Sequence, residues 1–109
     1  MNYWSSYENG STIQGSGSEG GVIILDEENI LGARITLEKN TSIADCAITL
    51  GVYGVMFHTD YFSTFNEAKL KYEVLKIRIQ ILLNHIKIED NYRDSNWKER
   101  FNLLIENLI

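Results

Sequence analysis

The sequence predicts an α+β fold: an antiparallel β-meander of about four strands, a long C-terminal amphipathic helix packed on one face, and a second short helix. Three observations predict it. Apolar and polar residues alternate with period two through much of residues 31–60, as in half-buried strands. After Phe62 the apolar spacing changes to threes and fours, as in a helix. The chain has 109 residues, 44% hydrophobic and 23% charged, which fits one domain and excludes a wholly disordered chain.

Residues 1–21 divide from the rest. Tyr3, Trp4 and Tyr7 form an aromatic cluster suited to a short docked strand. Residues 9–21 (NGSTIQGSGSEGG) hold five of the eight glycines and read as a flexible loop. Residues 22–109 form the single α+β domain, with strands within 22–62 and helices at 64–88 and 95–108. Val22-Ile23-Ile24-Leu25 is a short apolar strand, and Asp26-Glu27-Glu28-Asn29 reads as the turn that follows it. Leu31, Ala33, Ile35 and Leu37 alternate with polar residues in the next strand. Two further strands carry Cys46, Ile48 and Leu50, then Val55, Phe57 and Thr59. A two-residue loop at Val52-Tyr53 would place Ile48 opposite Phe57, Leu50 opposite Val55 and Asp45 opposite Asp60. A bulge or a longer loop is the alternative.

The helix opens with a capping box, Thr64 and Glu67, and an i,i+4 pair, Glu67 and Lys71. Phe65, Ala68, Tyr72, Leu75, Ile79, Leu82 and Ile86 form one apolar stripe. Leu70, Val74, Ile77, Ile81 and Ile88 form a second. One stripe covers the sheet, and the second needs another cover. The last helix, with Trp97, Phe101, Leu104 and Leu108 on its apolar side and Asp94 or Ser95 as its cap, supplies part of it. The rest is either covered within the chain alone or supplied by a second subunit or a different protein. The interface residues predicted on this basis are Ile77, Ile81, Ile88, Trp97 and Phe101.

The net charge is −5, divided unevenly. Residues 1–60 hold eight acids against Arg34 and Lys39, and residues 61–109 hold seven acids against eight bases. That distribution argues against nucleic-acid binding, which needs clustered Lys and Arg. No apolar run approaches the roughly 20 residues of a membrane span. The lone Cys46 excludes an intrachain disulfide, and the N-terminus carries no secretory signal pattern, so a cytoplasmic protein is expected. Fourteen Ile and ten Asn, both encoded by AT-rich codons, suggest a low-GC bacterial genome.

Candidate chemistry is sparse. His58 and Asp60 share a strand face about 7 Å apart along the strand, a spacing open to general-base or metal-ligand work, or to a single structural hydrogen bond. Cys46 lies on the opposite face from His58 in the two-residue register and reads as a small buried thiol. Arg34 stands among Asp26, Glu27, Glu28 and Asp60, as a structural ion pair or as an anchor for a ligand carboxylate. His85, in the last turns of the long helix, has no evident catalytic partner. The glycines at 15–21 lack the phosphate-loop lysine and precede a strand instead of following one. No catalytic residues, metal ligands or cofactor are assigned.

Residues 32–38 (GARITLE) and 47–59 (AITLGVYGVMFHT), followed by Phe62-Ser63 and a charged amphipathic helix, resemble a family of small bacterial proteins of unknown function. The likeness spans roughly residues 20–80. It implies a strand meander followed by a helix and brings no catalytic residues with it. The Gly/Ser-rich segment and the last helix lie outside it.

The function expected is a non-enzymatic protein-interaction or self-associating module, a homodimer or a partner of another protein. The alternative is a small-ligand-binding protein or enzyme that uses a polar sheet face bearing Arg34, His58 and Asp60.

Overall fold

A computed structural model describes residues 2–88 and 93–108. Among them are five strands in one antiparallel sheet of sequential order, followed by two helices. β1 (Trp4–Ser6) leads through a helical turn at Tyr7–Gly10 and a loop to β2 (Val22–Asn29), β3 (Ala33–Lys39), β4 (Cys46–Val52) and β5 (Met56–Phe62). α1 (Phe65–Ile86) crosses one face of the sheet and α2 (Trp97–Leu108) packs on α1. The predicted α+β class holds, with five strands where about four were expected. The polar run at residues 89–94 reads from its sequence as a linker between the helices, and residues 89–92 of it lie outside the described residues.

Two local readings are corrected. Asp26-Glu27-Glu28-Asn29 is not a turn but the second half of β2, because each of these residues pairs with one on β3. The turn falls at residues 30–32. The Asn29 side chain accepts a hydrogen bond from the Leu31 N–H, and Gly32 takes φ +118°, open to glycine alone at low cost.

The β4–β5 loop has three residues, Tyr53-Gly54-Val55, closed by a hydrogen bond from Val55 N–H to the Val52 carbonyl, with Gly54 at φ +76°. The longer-loop alternative therefore applies, and the register differs from the two-residue one by an odd number. An odd slip exchanges the faces of a strand. Ile48 faces Asp60, Leu50 faces His58, and Phe57 turns to the face away from α1.

The helix-side rows of the sheet are Leu25–Leu37–Ile48–Asp60, Glu27–Ile35–Leu50–His58, Asn29–Ala33–Val52–Met56 and Val22–Lys39–Cys46–Phe62. The central apolar members join Ala68, Tyr72, Leu75, Ile79 and Leu82 of α1 in the core. The first predicted stripe is thus the packed one. At the start of α1 the Thr64 hydroxyl accepts from the Glu67 N–H. The i,i+4 ion pair found on α1 is Lys69–Glu73, at 2.7 Å, and Glu67–Lys71 is not among the pairs of the described residues.

The opposite, open face carries the rows Asp26–Thr36–Thr49–Thr59, Glu28–Arg34–Gly51–Phe57 and Ile23–Glu38–Ala47–Tyr61. The glycine-rich segment lies against this face. The Ile23 carbonyl accepts from Gln14 N–H, and the Glu19 carbonyl accepts from Ser42 N–H. No helix among the described residues is long and apolar enough to cross a membrane.

Candidate functional site

The open face holds a cleft of about 680 Å³. Its floor is Arg34, Thr36, Thr49 and Gly51; Ser16, Gly17 and Ser18 make one wall, and the β4–β5 hairpin with Tyr53, Val55 and Phe57 makes the other. The strands place the floor by simple alternation. The glycine-rich loop makes the wall because Gly17 can approach the sheet: a Cβ there would collide with the Glu38 side chain.

Buried carboxylates organise this face. Asp26 is 2% exposed and accepts four hydrogen bonds: from Arg34 Nε (2.9 Å) and Nη2 (2.7 Å), from Thr36 (3.0 Å) and from Thr12 (2.9 Å). The hydrogen bond to Asp26 raises the Arg34 pKa, so the guanidinium stays charged. Tyr7 lies 3.6 Å from that guanidinium and stacks on it. Glu38, fully buried, accepts from the backbone N–H groups of Glu19 and Gly21 and so ties the loop to β3. Tyr53 donates to Glu28 at 2.6 Å; burial first, and then that hydrogen bond, push its phenol up to about 12. Tyr61 donates to Glu19, which raises its pKa too.

The three ligand-site residues predicted from sequence are not brought together. Arg34 is on the open face, whereas His58 and Asp60 are on the helix face, at the sheet's edge. The polar sheet face expected to carry all three therefore does not exist; strand parity separates them. His58 and Asp60 do meet, Nε2 to Oδ1 at 2.9 Å, with both side chains about one-third exposed. Cys46 shares the face of His58, contrary to the two-residue register. It sits opposite Phe62 while His58 sits opposite Leu50, four residues away along the strand, roughly 13 Å. The thiol is buried and burial raises its pKa, so it is no activated nucleophile. Of the two readings open for Arg34, its bidentate contact is the structural ion pair. Among the described residues no three His, Cys, Asp or Glu side chains gather as a metal site would require.

The cleft offers hydroxyls, one guanidinium edge and apolar surface, and among its described lining residues no base stands beside a nucleophile. Sequence reasoning missed its walls. The usable signal was the spacing of Asp26, Arg34 and Thr36, which antiparallel pairing puts on one face.

The other surface of note is the outer side of α1. Leu70, Ile77 and Ile81 are 73%, 64% and 50% exposed, and Val74 is exposed between them. These are the first four members of the second predicted stripe, on the far side from the core. Troughs flank them: one of about 440 Å³ beside Tyr3, Trp4 and Ile77, one of about 500 Å³ beside Ile81, Ile88 and Leu103. Trp97 and Phe101 are partly spent within the chain. Trp97 stacks on His85 (4.6 Å) and on Phe101 (5.3 Å), and its indole donates to the His85 carbonyl. His85 is thereby a packing residue that joins the two helices, its Nε2 3.0 Å from the Trp97 carbonyl.

Fold and site define a class: a five-stranded antiparallel meander, helices on one face, and a loop-walled cleft on the other. Comparison of the chain with family models, curated proteins and solved structures found no match.

Proposed function

We propose that this chain is a non-enzymatic protein-interaction module that docks a partner on the outer face of α1. One observation carries this reading: Leu70, Val74, Ile77 and Ile81 run at i, i+4, i+7 and i+11 along a helix whose opposite side already covers the sheet. Apolar residues repeated at helical spacing and left in water mark a contact surface. The troughs on either side suit the anchor residues of an amphipathic helix. A bacterial cytoplasm is the setting we propose, from the composition and the lone reduced Cys46.

The test is the double substitution Ile77→Glu/Ile81→Glu. Both positions are exposed, so the fold and melting temperature stay near those of the unaltered chain. A protein that co-purifies at stoichiometric levels with the unaltered chain should be lost from the variant. Equal recovery with both chains would overturn the reading.

A second reading, small-molecule binding, is favoured by the cleft volume, which lies within the usual range of ligand pockets. Asp26, Glu28, Glu38 and Glu19 outnumber Arg34 on that face, which disfavours an anion, and the apolar lining of the cleft fits an uncharged molecule with an apolar body. Gly51 lies on the floor, where a Cβ would make ordinary contact with Phe57. Gly51→Val should then abolish any thermal shift produced by a panel of neutral aromatic fragments. An unaltered chain that no fragment stabilises would end this reading.

A further inference from the structure

We propose that two copies of this chain join edge to edge through β5, in an antiparallel register centred on Thr59. β5 is the last strand of the sheet and, among the described residues, pairs only with β4. Its register with β4 runs unbroken over all seven residues, with no bulge. The strand contains neither proline nor lysine. Natural edge strands are usually shortened, bulged, or guarded by such residues, because their outer N–H and C=O groups template pairing. The opposite edge, β1, follows that rule with only three residues. β5 keeps one guard of this kind, the charged Asp60 on the helix face, and is neither short nor bulged.

The residues of β5 are also self-complementary. About Thr59, Phe57 meets Tyr61 of a second copy, His58 meets Asp60, and Met56 meets Phe62. Strand alternation puts each pair on a matching face. The open face gains two aromatic pairs around a Thr59–Thr59 contact. The helix face gains two His–Asp pairs flanked by Met–Phe pairs. Cross-strand pairs of these kinds are the ones that stabilise a sheet. Phe57 is 73% exposed within one chain, and the Tyr61 ring opposite covers it once its hydroxyl turns from Glu19.

Neighbouring centres fail on the same terms. Centring on Asp60 opposes two carboxylates, and centring on His58 sets Asp60 against Met56. Of these three centres only Thr59 sets each Asp60 beside an imidazole of the other copy, in addition to the His58–Asp60 contact made within each chain. A strand from an unrelated protein would not require this symmetry, so the occupant is a second copy. The two sheets become one, with both long helices on the same side. Because Phe57 also walls the cleft, Tyr61 of the second copy extends that wall.

This proposal uses a different surface from α1's outer face and stands apart from it. The experiment is disulfide trapping. Directly opposed residues in an antiparallel pair have Cα atoms about 4.5–5.5 Å apart, within disulfide range. Thr59→Cys should therefore oxidise to a covalent dimer, much faster than the exposed control Ser95→Cys. Phe57→Cys alone should not cross-link, because its symmetry mate lies roughly 13 Å away along the pair. An equimolar mixture of Phe57→Cys and Tyr61→Cys should give the mixed dimer. The buried Cys46 sets the background in the unaltered chain. Adding Ile77→Glu/Ile81→Glu to Thr59→Cys should leave the trapping intact. Trapping no faster than at Ser95, or trapping that the helix substitutions abolish in a folded chain, would overturn the proposal. Loss of a co-purifying protein with trapping intact would fault neither reading.

Discussion

The two faces of the sheet are built from the same five strands and are closed in different ways. On the helix face the rows are apolar in the middle, and α1 covers them with side chains: Ala68, Tyr72, Leu75, Ile79 and Leu82. On the open face the middle is Asp26, Arg34, Thr36 and Glu38, and the cover is backbone, the N–H groups of Glu19 and Gly21. Apolar burial is non-directional and tolerates neighbours of many shapes. A buried carboxylate is not so tolerant: each acceptor must be met by a donor at hydrogen-bond distance. Hence the open face needs a glycine-rich loop that can come close, while the helix face needs only a stripe of the right spacing. The difference teaches that one face carries most of the stability and the other leaves room for a cleft.

The largest effect should come from the helix face. Ile79→Ala or Leu75→Ala removes a fully buried side chain and should cost about 2–5 kcal/mol in denaturant unfolding. A loss near zero would mean that α1 is not seated as described. On the open face, Asp26→Ala strands Arg34, Thr36 and Thr12. The expected loss is smaller, about 2–3 kcal/mol, because Arg34 is 34% exposed and water relieves part of its charge. If this loss exceeded that of Ile79→Ala, the ranking of the two faces would be reversed.

Alkali probes both faces at once. Tyr72 donates to Glu27 on the helix face and Tyr53 to Glu28 on the open face. Burial first, and then these hydrogen bonds, raise both phenols above the ordinary value of 10.0. A raised folded-state pKa gives stability that is complete below pH 10 and is lost as pH rises further, since the unfolded chain releases its protons first. Stability should thus decline above pH 10, with Tyr53 ionising near 12 and Tyr72 later. Tyrosine ultraviolet titration of Tyr53→Phe and Tyr72→Phe would separate the two faces. Flat stability up to pH 12 would contradict the shifts.

Gly17→Ala should cost about 1–2 kcal/mol, because the added methyl forces Glu38 or the loop to move. Amide exchange of Glu19 and Gly21 should speed up while that of β3 changes little. The smallest effect is expected at Ile77→Ser, within about 0.5 kcal/mol, since the residue is mostly in water. A large loss there would mean that the outer side of α1 is already covered within the chain.

Most of the helical layer was legible in the sequence. Thr64 as cap, the core stripe and the exposed stripe follow from local spacing, and the structure places them as the spacing implies. Less of the sheet was legible. The acidic run at residues 26–29 has the composition of a turn, yet those carboxylates are held in β2 by Arg34, Thr36, Tyr72 and Lys76, residues 8 to 49 positions away. The candidate site suffered more. One residue of difference in loop type decides which face Phe57 takes, and Gly51-Val52-Tyr53-Gly54 admits both loop lengths. His58 and Asp60 were rightly seen to share a face, because that depends on their own strand alone; their relation to Arg34 depends on two intervening pairings.

By itself the sequence determined what is periodic and local: an α+β chain, a helix apolar on two sides, and strands of alternating character. Those features follow from the repeat of a single backbone geometry. Tertiary structure alone decided the extent of β2, the register of β4 with β5, the seat of the glycine-rich loop and the separation of Arg34 from His58. Each of these rests on contacts between residues distant in the chain, where a slip of one position exchanges inside for outside.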